Sequence, residues 1–120
     1  MQITNNQNHQ FDLEKRTLEF SKNIRDFCKA LPKSIHNREY IEQIIRSSAS
    51  IGANYIEANE ALSKKDFVMR MKISRKETKE TRYWLELIEI NTTQKDILLA
   101  MQAEVTELLK IFSSIIARSL

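Results

Sequence analysis

The stretch RSSASIGANYIEA, residues 46–58, places a cluster of small side chains inside a segment that otherwise has the pattern of one long helix. Gly52 at its centre is the only glycine among the 120 residues. A glycine inside a helix costs about 1 kcal/mol relative to alanine. Because that cost is tolerated where a larger side chain would block a contact, the stretch predicts that another helix approaches this backbone closely.

The composition favours a single helical domain. One glycine and one proline leave little turn chemistry for a sheet, whereas Leu, Ile, Glu, Lys and Ala are abundant. We interpret residues 1–11 as a flexible polar tail and residues 12–120 as the domain. Cys28 has the spacing of a buried core residue. No apolar run approaches 18 residues and the first ten are polar, so we expect a cytoplasmic protein without a membrane span.

Apolar residues recur at spacings of three and four, which predicts four helices at about 12–31, 38–62, 64–90 and 93–119. Pro32 ends the first helix, and His36 falls in the first loop as a solvated residue. Ser63 with Asp66 begins the third helix as a capping pair, and Thr92 or Thr93 caps the fourth. Short connections favour antiparallel neighbours, so the expected fold is an all-α, up-down-up-down antiparallel four-helix bundle.

The small residues of the second helix have an expected counterpart on the third. Ser48 and Gly52 lie in the middle of the predicted seam of helix 2. In an antiparallel pair they meet the middle of helix 3, whose seam is also small: Ser74, Thr78 and Thr81. Ser47 and Ala58 are placed on the opposite, outward side of helix 2.

Helices 2 and 3 each carry a second face that is less polar than a solvated surface. Scattered apolar residues are normal on a protein surface. A tryptophan at helical spacing to other apolar residues forms a patch, however, and predicts a homo-oligomer. Charges at such a place need partners, so we expect Arg46 to meet Glu57, Glu77 or Glu80. The predicted oligomer interface comprises Arg46, Ser50, Asn54, Glu57, Ile73, Glu77, Glu80, Trp84 and Leu87.

The positive charge is concentrated on helix 3. Residues 64–82 hold eight basic and three acidic residues, a net of +5 in a chain of formal charge +3. Six of the basic residues fall within an arc of roughly 120° on a helix with 3.6 residues per turn. A solvated face usually mixes both signs, so this arc predicts binding to nucleic acid through phosphates. We call it the basic stripe: Lys65, Lys72, Arg75, Lys76, Lys79 and Arg82.

The residue patterns of common enzymes and metal sites are missing. There is no Glu-x-x-His pair of the di-iron bundles, no P-loop and no HExxH. Glu77 and Glu80 share one helix face, where a salt bridge is a simpler interpretation than a metal site. We therefore expect a non-enzymatic protein with no catalytic residue, no metal, no cofactor and no small-molecule substrate.

Three segments carry a resemblance to a known family: QIIRSSASIGANYIEA at 43–58, SKKDF at 63–67 and KETKETRYWLE at 76–86. They resemble the bacterial "four-helix bundle protein" family encoded in intervening sequences of 23S ribosomal RNA genes, once labelled S23 ribosomal proteins. The chain is also similar to the accessory protein of diversity-generating retroelements, a basic pentamer that binds nucleic acid and a reverse transcriptase. The resemblance implies a helical bundle that assembles as a homopentamer.

Two functions remain open from the sequence. One is an oligomeric, non-enzymatic protein that binds the backbone of RNA or DNA, with structured RNA or duplex favoured because only Tyr83 borders the stripe as an aromatic residue. The other is an interaction scaffold whose basic face binds an acidic partner protein, such as a reverse transcriptase.

Overall fold

The computed structural model describes the backbone of residues 5–120 and the side chains of residues 13–120. Within that range the regular structure is helical and contains no strand. The predicted all-α class with four helices is therefore confirmed. In chain order the elements are α1 (Asn5–Lys29), α2 (Ile35–Asn59), α3 (Lys64–Leu87), a 3₁₀ turn (Thr92–Gln94) and α4 (Lys95–Ser119).

Serine caps fix the starts of α2 and α3. Ser34 and Ser63 are extended, and each hydroxyl accepts a hydrogen bond of 3.0 Å from the backbone N–H three residues later. Asp66 lies in the first turn of α3, where its charge complements the positive end of the helix dipole. Ser63 is thus the N-cap of α3, as predicted.

An asparagine begins the last helical segment. The Asn91 side chain accepts a hydrogen bond from the backbone N–H of Thr93, and the Asn91 N–H donates to Gln94 Oε1 at 3.1 Å. This reciprocal pair is a capping box. The prediction that Thr92 or Thr93 is the cap is wrong, because the asparagine one residue earlier has an amide partner three residues on.

Two helices begin earlier than predicted. α1 starts at Asn5, so the later part of the predicted tail, residues 1–11, is helical, and residues 1–4 lie outside the described residues. α2 starts at Ile35 rather than at residue 38, because its cap lies earlier in the chain. The prediction of His36 as a loop residue is therefore wrong; it lies in the first turn of α2.

Three helices end earlier than predicted. They end at Lys29, Asn59 and Leu87, against expected ends at 31, 62 and 90. The residues after each helix leave the helical conformation so that the chain can reverse direction. Ile88, for example, is extended with a ψ of 138°. Leu62, which falls inside the predicted helix 38–62, lies beyond the end of α2 and is fully exposed.

α2 and α3 contact each other through hydroxyl side chains. Ser47 Oγ lies 2.8 Å from Thr81 Oγ1, and Ser74 Oγ donates to the backbone oxygen of Ile51 at 3.0 Å. A side chain that bonds to a neighbouring helix backbone requires closely spaced axes. The predicted small patch on α3 therefore does serve close packing against α2.

A buried asparagine joins the start of α2 to the end of α3. Asn37 donates to the carbonyls of Pro32 and Glu89 at 2.8 Å each, and its Oδ1 accepts from the Glu89 N–H at 2.8 Å. All its polar groups thus have partners, which offsets the cost of burying an amide. Along the contact between these two helices, residue numbers therefore increase on α2 as they decrease on α3.

Gly52 faces α1. A Cβ at this position would lie 2.8 Å from Thr17 Oγ1 and 3.2 Å from Thr17 Cβ. Turning Thr17 away would break the bond that its Oγ1 donates to the Leu13 carbonyl at 2.8 Å. One turn earlier on α2, the Ser48 carbonyl accepts from Ser21 Oγ at 3.1 Å. The prediction that Ser48 and Gly52 meet α3 is therefore wrong, since these residues form the contact with α1.

The buried arc of α2 is wider than a single seam. Ser47 and Ala58, which the pattern placed on the outward side, are both almost completely buried. Because α2 contacts both α1 and α3, residues on either side of the predicted seam also lie inside. The prediction of an outward Ser47 and Ala58 is wrong for this reason.

α1 and α4 pack less closely than the other contacting pairs of helices. They are joined by Arg16, which donates two hydrogen bonds of 2.7 Å to Glu104. Such a bidentate pair is the strongest form of an arginine–carboxylate contact. Beside it lies a cavity of about 550 Å³, lined in part by Phe20, Phe27 and Met101.

Gly52→Ala is expected to lower the free energy of unfolding by about 1–3 kcal/mol, because the added Cβ overlaps Thr17. In an open helix the same change stabilises by about 1 kcal/mol. Thr17→Ala removes the nearest atom, so the destabilisation should be smaller in that background. Chemical denaturation of the four proteins completes the double-mutant cycle. Higher stability in Gly52→Ala alone would contradict the close contact.

Candidate nucleic-acid interface

The basic stripe lies on the outward side of α3. Its four lysines are exposed, namely Lys65, Lys72, Lys76 and Lys79, and its two arginines, Arg75 and Arg82, are half-buried. The inward side of the same helix carries the buried residues Met71, Ser74, Thr78, Thr81 and Leu85. Because the inward side is fixed by packing, the stripe points away from the core.

Among the residues whose side chains are described, no stripe residue forms a salt bridge. Other basic residues in the described part of the chain do form salt bridges: Arg16 pairs with Glu104, and Lys29 pairs with Asp26 at 3.8 Å. The stripe is therefore a positive surface with no direct carboxylate partner among the side chains of residues 13–120. Such a surface attracts polyanions and their phosphate groups.

Arg46 forms a charged cluster between α2 and α3. Its Nη1 lies 3.8 Å from Glu77 Oε1 and its Nη2 lies 3.9 Å from Glu80 Oε1. Of the three predicted acidic partners it thus contacts two, within one chain. Burial, followed by the negative charge of Glu80, raises the pKa of the Glu77 carboxyl, while Lys76 and Arg46 act in the opposite direction. Glu77 is only 5 % exposed.

The remaining predicted interface residues differ in exposure. Ser50 and Asn54 are half-buried, and each side chain donates at 2.9 Å to the carbonyl four residues earlier. Glu57 is exposed and Leu87 is 37 % exposed. Ile73 is half-buried and lies beside lysines of the stripe. The most accessible of these residues are therefore on the outer surfaces of α2 and α3.

A chain of four aromatic rings links the start of α2 to the end of α3. His36 stacks on Tyr40 at 6.4 Å, Tyr40 lies 6.2 Å from Trp84, and Trp84 meets Tyr83 edge to face at 5.3 Å. His36 also lies 3.6 Å from Glu89. Sequence reasoning missed this group, although His36 and Tyr40 stand four residues apart, because it placed His36 before the helix.

Trp84 is the anchor of the aromatic group. Its ring is half-buried and packs against the hydrophobic core. Its Nε1 is buried and has no hydrogen-bond partner among the described residues. Leaving such a donor unsatisfied costs about 1–3 kcal/mol. Trp84 thus stabilises the aromatic group through the packing of its ring rather than through a hydrogen bond of its N–H group.

A groove of about 720 Å³ lies along the first half of α3 and the end of α4. Its floor is apolar and includes Val68, Met69 and Ile73. Four lysines border it: Lys64, Lys65, Lys72 and Lys76. Three of them belong to the basic stripe, so positive charge and exposed apolar surface occur together here.

The described residues offer little support for other kinds of site. Cys28 is buried, and burial raises the pKa of its thiol to about 11, so the reactive thiolate is disfavoured. The described side chains contain no group of three or more His, Cys, Asp or Glu arranged to hold a metal ion. None of the described helices combines the length and apolar character needed to cross a membrane.

The fold and the stripe define an all-α protein with a basic outward face, and comparison with known proteins adds a family. The family model for the 23S rRNA-intervening sequence protein matches residues 9–114. The chain belongs to this family, which confirms the resemblance seen in the sequence. No protein of curated function matches it significantly.

A solved structure supports the same assignment. It is a protein of unknown function from the S23 ribosomal protein family of Bacteroides thetaiotaomicron VPI-5482. It is 33 % identical to this chain, aligns over 87 % of this chain and 97 % of its own, and has a TM-score of 0.74. Most of the helical fold is therefore shared between the two proteins.

Glu77→Gln is expected to change the pH dependence of stability. The folded state raises the pKa of Glu77 above its ordinary 4.5, so the contribution of Glu77 to stability declines as pH rises through that value and levels off above the folded pKa. Glutamine does not titrate. The variant should therefore gain stability relative to the wild type as the pH rises from about 4.5 to the raised pKa of Glu77 in the folded state, and the difference should stay constant above it. Urea denaturation across pH, with exposed Glu86→Gln as control, measures the difference. A constant difference at every pH would contradict it.

Proposed function

We propose that this protein is a non-enzymatic, oligomeric RNA-binding protein that contacts the phosphate backbone through the basic stripe. The observation that carries the proposal is the set of six cations on one outward face of α3, none of which has a carboxylate partner among the described side chains. The family's relation to 23S ribosomal RNA genes is consistent with an RNA ligand.

The expected binding mechanism is electrostatic. Each phosphate that a lysine or arginine neutralises releases condensed counterions, and this gain does not depend on base sequence. Lys72, Lys76 and Lys79 are exposed and follow one another along the helix at spacings of four and three. They therefore form a row that a phosphate backbone contacts without entering a pocket.

We further propose that the helices form an up-down-up-down antiparallel bundle and that the bundle assembles as a homopentamer. The antiparallel arrangement is supported by the contacts between α2 and α3, in which residue numbers increase on one helix as they decrease on the other. Exposed apolar residues on the outer surfaces of the same helices support assembly: Ile45, Ile56, Met69 and Leu87. Five copies of a +3 chain would present five stripes on one particle of charge +15.

Replacing Lys72, Lys76 and Lys79 with glutamine tests the RNA-binding proposal. The residues are exposed, so stability should change by no more than about 0.5 kcal/mol. Affinity for duplex RNA should fall for all sequences alike. The slope of log affinity against log salt should shrink by about 0.9 for each phosphate that the variant no longer neutralises, as for duplex DNA. Fluorescence anisotropy over a salt series measures both.

The matched control replaces Lys33, Lys95 and Lys110 with glutamine. These lysines lie outside the stripe, and the change in net charge is the same. The control should retain most of the affinity. Equal reductions in the two triple variants would show that binding follows net charge rather than the stripe, and would contradict the proposed site.

Leu87→Asp tests the assembly. Leu87 is 37 % exposed on the proposed interface, so the charge should be tolerated by a single chain and should oppose association. Light scattering should give a particle of several subunits for the wild type and a smaller one for the variant. Leu99→Asp, at a residue 53 % exposed on α4, is the control and should keep the wild-type size. A monomeric wild type at micromolar concentration would contradict the assembly.

A scaffold that binds an acidic partner protein is the second candidate. The observation that favours it is the groove with an apolar floor and a lysine border. An acidic amphipathic helix has the matching chemistry, since it offers apolar and negative residues on adjacent faces. If the wild type fails to bind any RNA at low salt, this candidate replaces RNA binding.

A further inference from the structure

We propose that Tyr83 is a stacking platform for an unpaired base, so that the protein prefers RNA in which nucleotides stand free next to a duplex. This inference rests on the proposed RNA-binding function and extends it to the class of RNA. It assigns a role to the aromatic group, which backbone binding alone does not use.

The first argument is the position of Tyr83 on α3. At 3.6 residues per turn, Tyr83 falls within about 40° of Lys72, Lys76 and Lys79 around the helix axis. It stands one turn beyond Lys79, and residues four apart on a helix are neighbours. The distance along the axis from Lys72 is about 16 Å at 1.5 Å per residue. A strand that follows the three lysines therefore arrives at this ring.

The second argument is that the ring is both accessible and held in place. Tyr83 is 58 % exposed. Trp84 meets it at 5.3 Å and an interplanar angle of 71°, an edge-to-face contact that occupies at most one face of the tyrosine ring. Trp84 is in turn fixed against Tyr40 and the core. An accessible ring on a rigid support loses little conformational entropy when a base stacks on it.

The third argument comes from the chemistry of the ligand. A paired base inside a duplex has no free face, whereas unpaired bases in loops, bulges and single-stranded ends are available to stack on aromatic side chains. Cationic side chains that follow the backbone, together with an aromatic ring that accepts a base, are the two parts of a single-strand binding surface. The basic stripe and Tyr83 supply both on one face of α3.

The test compares two RNAs that share one duplex, one with blunt ends and one with a short unpaired overhang. The wild type should bind the overhang RNA more tightly. Tyr83→Ala should weaken overhang binding by roughly 5- to 150-fold, the usual effect of removing the ring under one stacked base, and leave the blunt duplex unchanged. Tyr83→Phe keeps the ring and should bind like the wild type. Circular dichroism verifies that each variant is folded.

The fluorescence of Trp84 provides a second test beside the affinities. Trp84 is the only tryptophan of the chain and contacts Tyr83, so its fluorescence should respond to the overhang RNA and not to the blunt duplex. Equal binding of the two RNAs by the wild type would overturn the stacking inference while leaving the proposed function intact. Weaker blunt-duplex binding in Tyr83→Ala would also overturn it. No binding to either RNA would overturn both.

Discussion

α2 is held between α1 and α3 at distances that only small side chains allow, and the orientation of the other elements follows from this constraint. On one side, Gly52 leaves room for Thr17, whose hydroxyl stays bonded to its own helix. On the other side, Ser74 bonds to the backbone oxygen of Ile51. Both contacts fall on one turn of α2. Because α3 turns its hydroxyl face inward to make its contact, its lysines point outward.

The distribution of charge between α2 and α3 follows from the same arrangement. Glu77 and Glu80 lie at the edge of the helix contact, where Arg46 reaches them across the interface. Burial there raises the pKa of Glu77, because the ionised carboxylate loses solvation that a surface carboxylate keeps. These two acids are directed toward Arg46 rather than toward the stripe. The positive charge of the outward face therefore remains available to a ligand, although Lys76 still acts on Glu77 through space.

Parts of the proposed interface were predictable from register alone. Lys72, Lys76 and Lys79 share a face in any helix that includes residues 64–82, so their placement on one face did not depend on the neighbouring helices, whereas the exposure of that face did. The aromatic group was not predictable in this way. Its rings come from two helices, and its first member belongs to a helix whose start was placed too late. Tyr83 was visible at the edge of the stripe, but Trp84 as its support was not.

The sequence by itself determined the four helices, the serine cap of α3 and the need for close packing around Gly52, because periodicity, capping and glycine cost are local properties. Only the tertiary structure decided which helix meets which residue. A helix with two neighbours buries two arcs, so Ser47 turned inward toward α3 and Gly52 turned toward α1. Local spacing cannot separate these arcs, since both consist of small residues. The physical reason is that spacing defines a face, whereas its partner is set by contacts between residues distant in the chain.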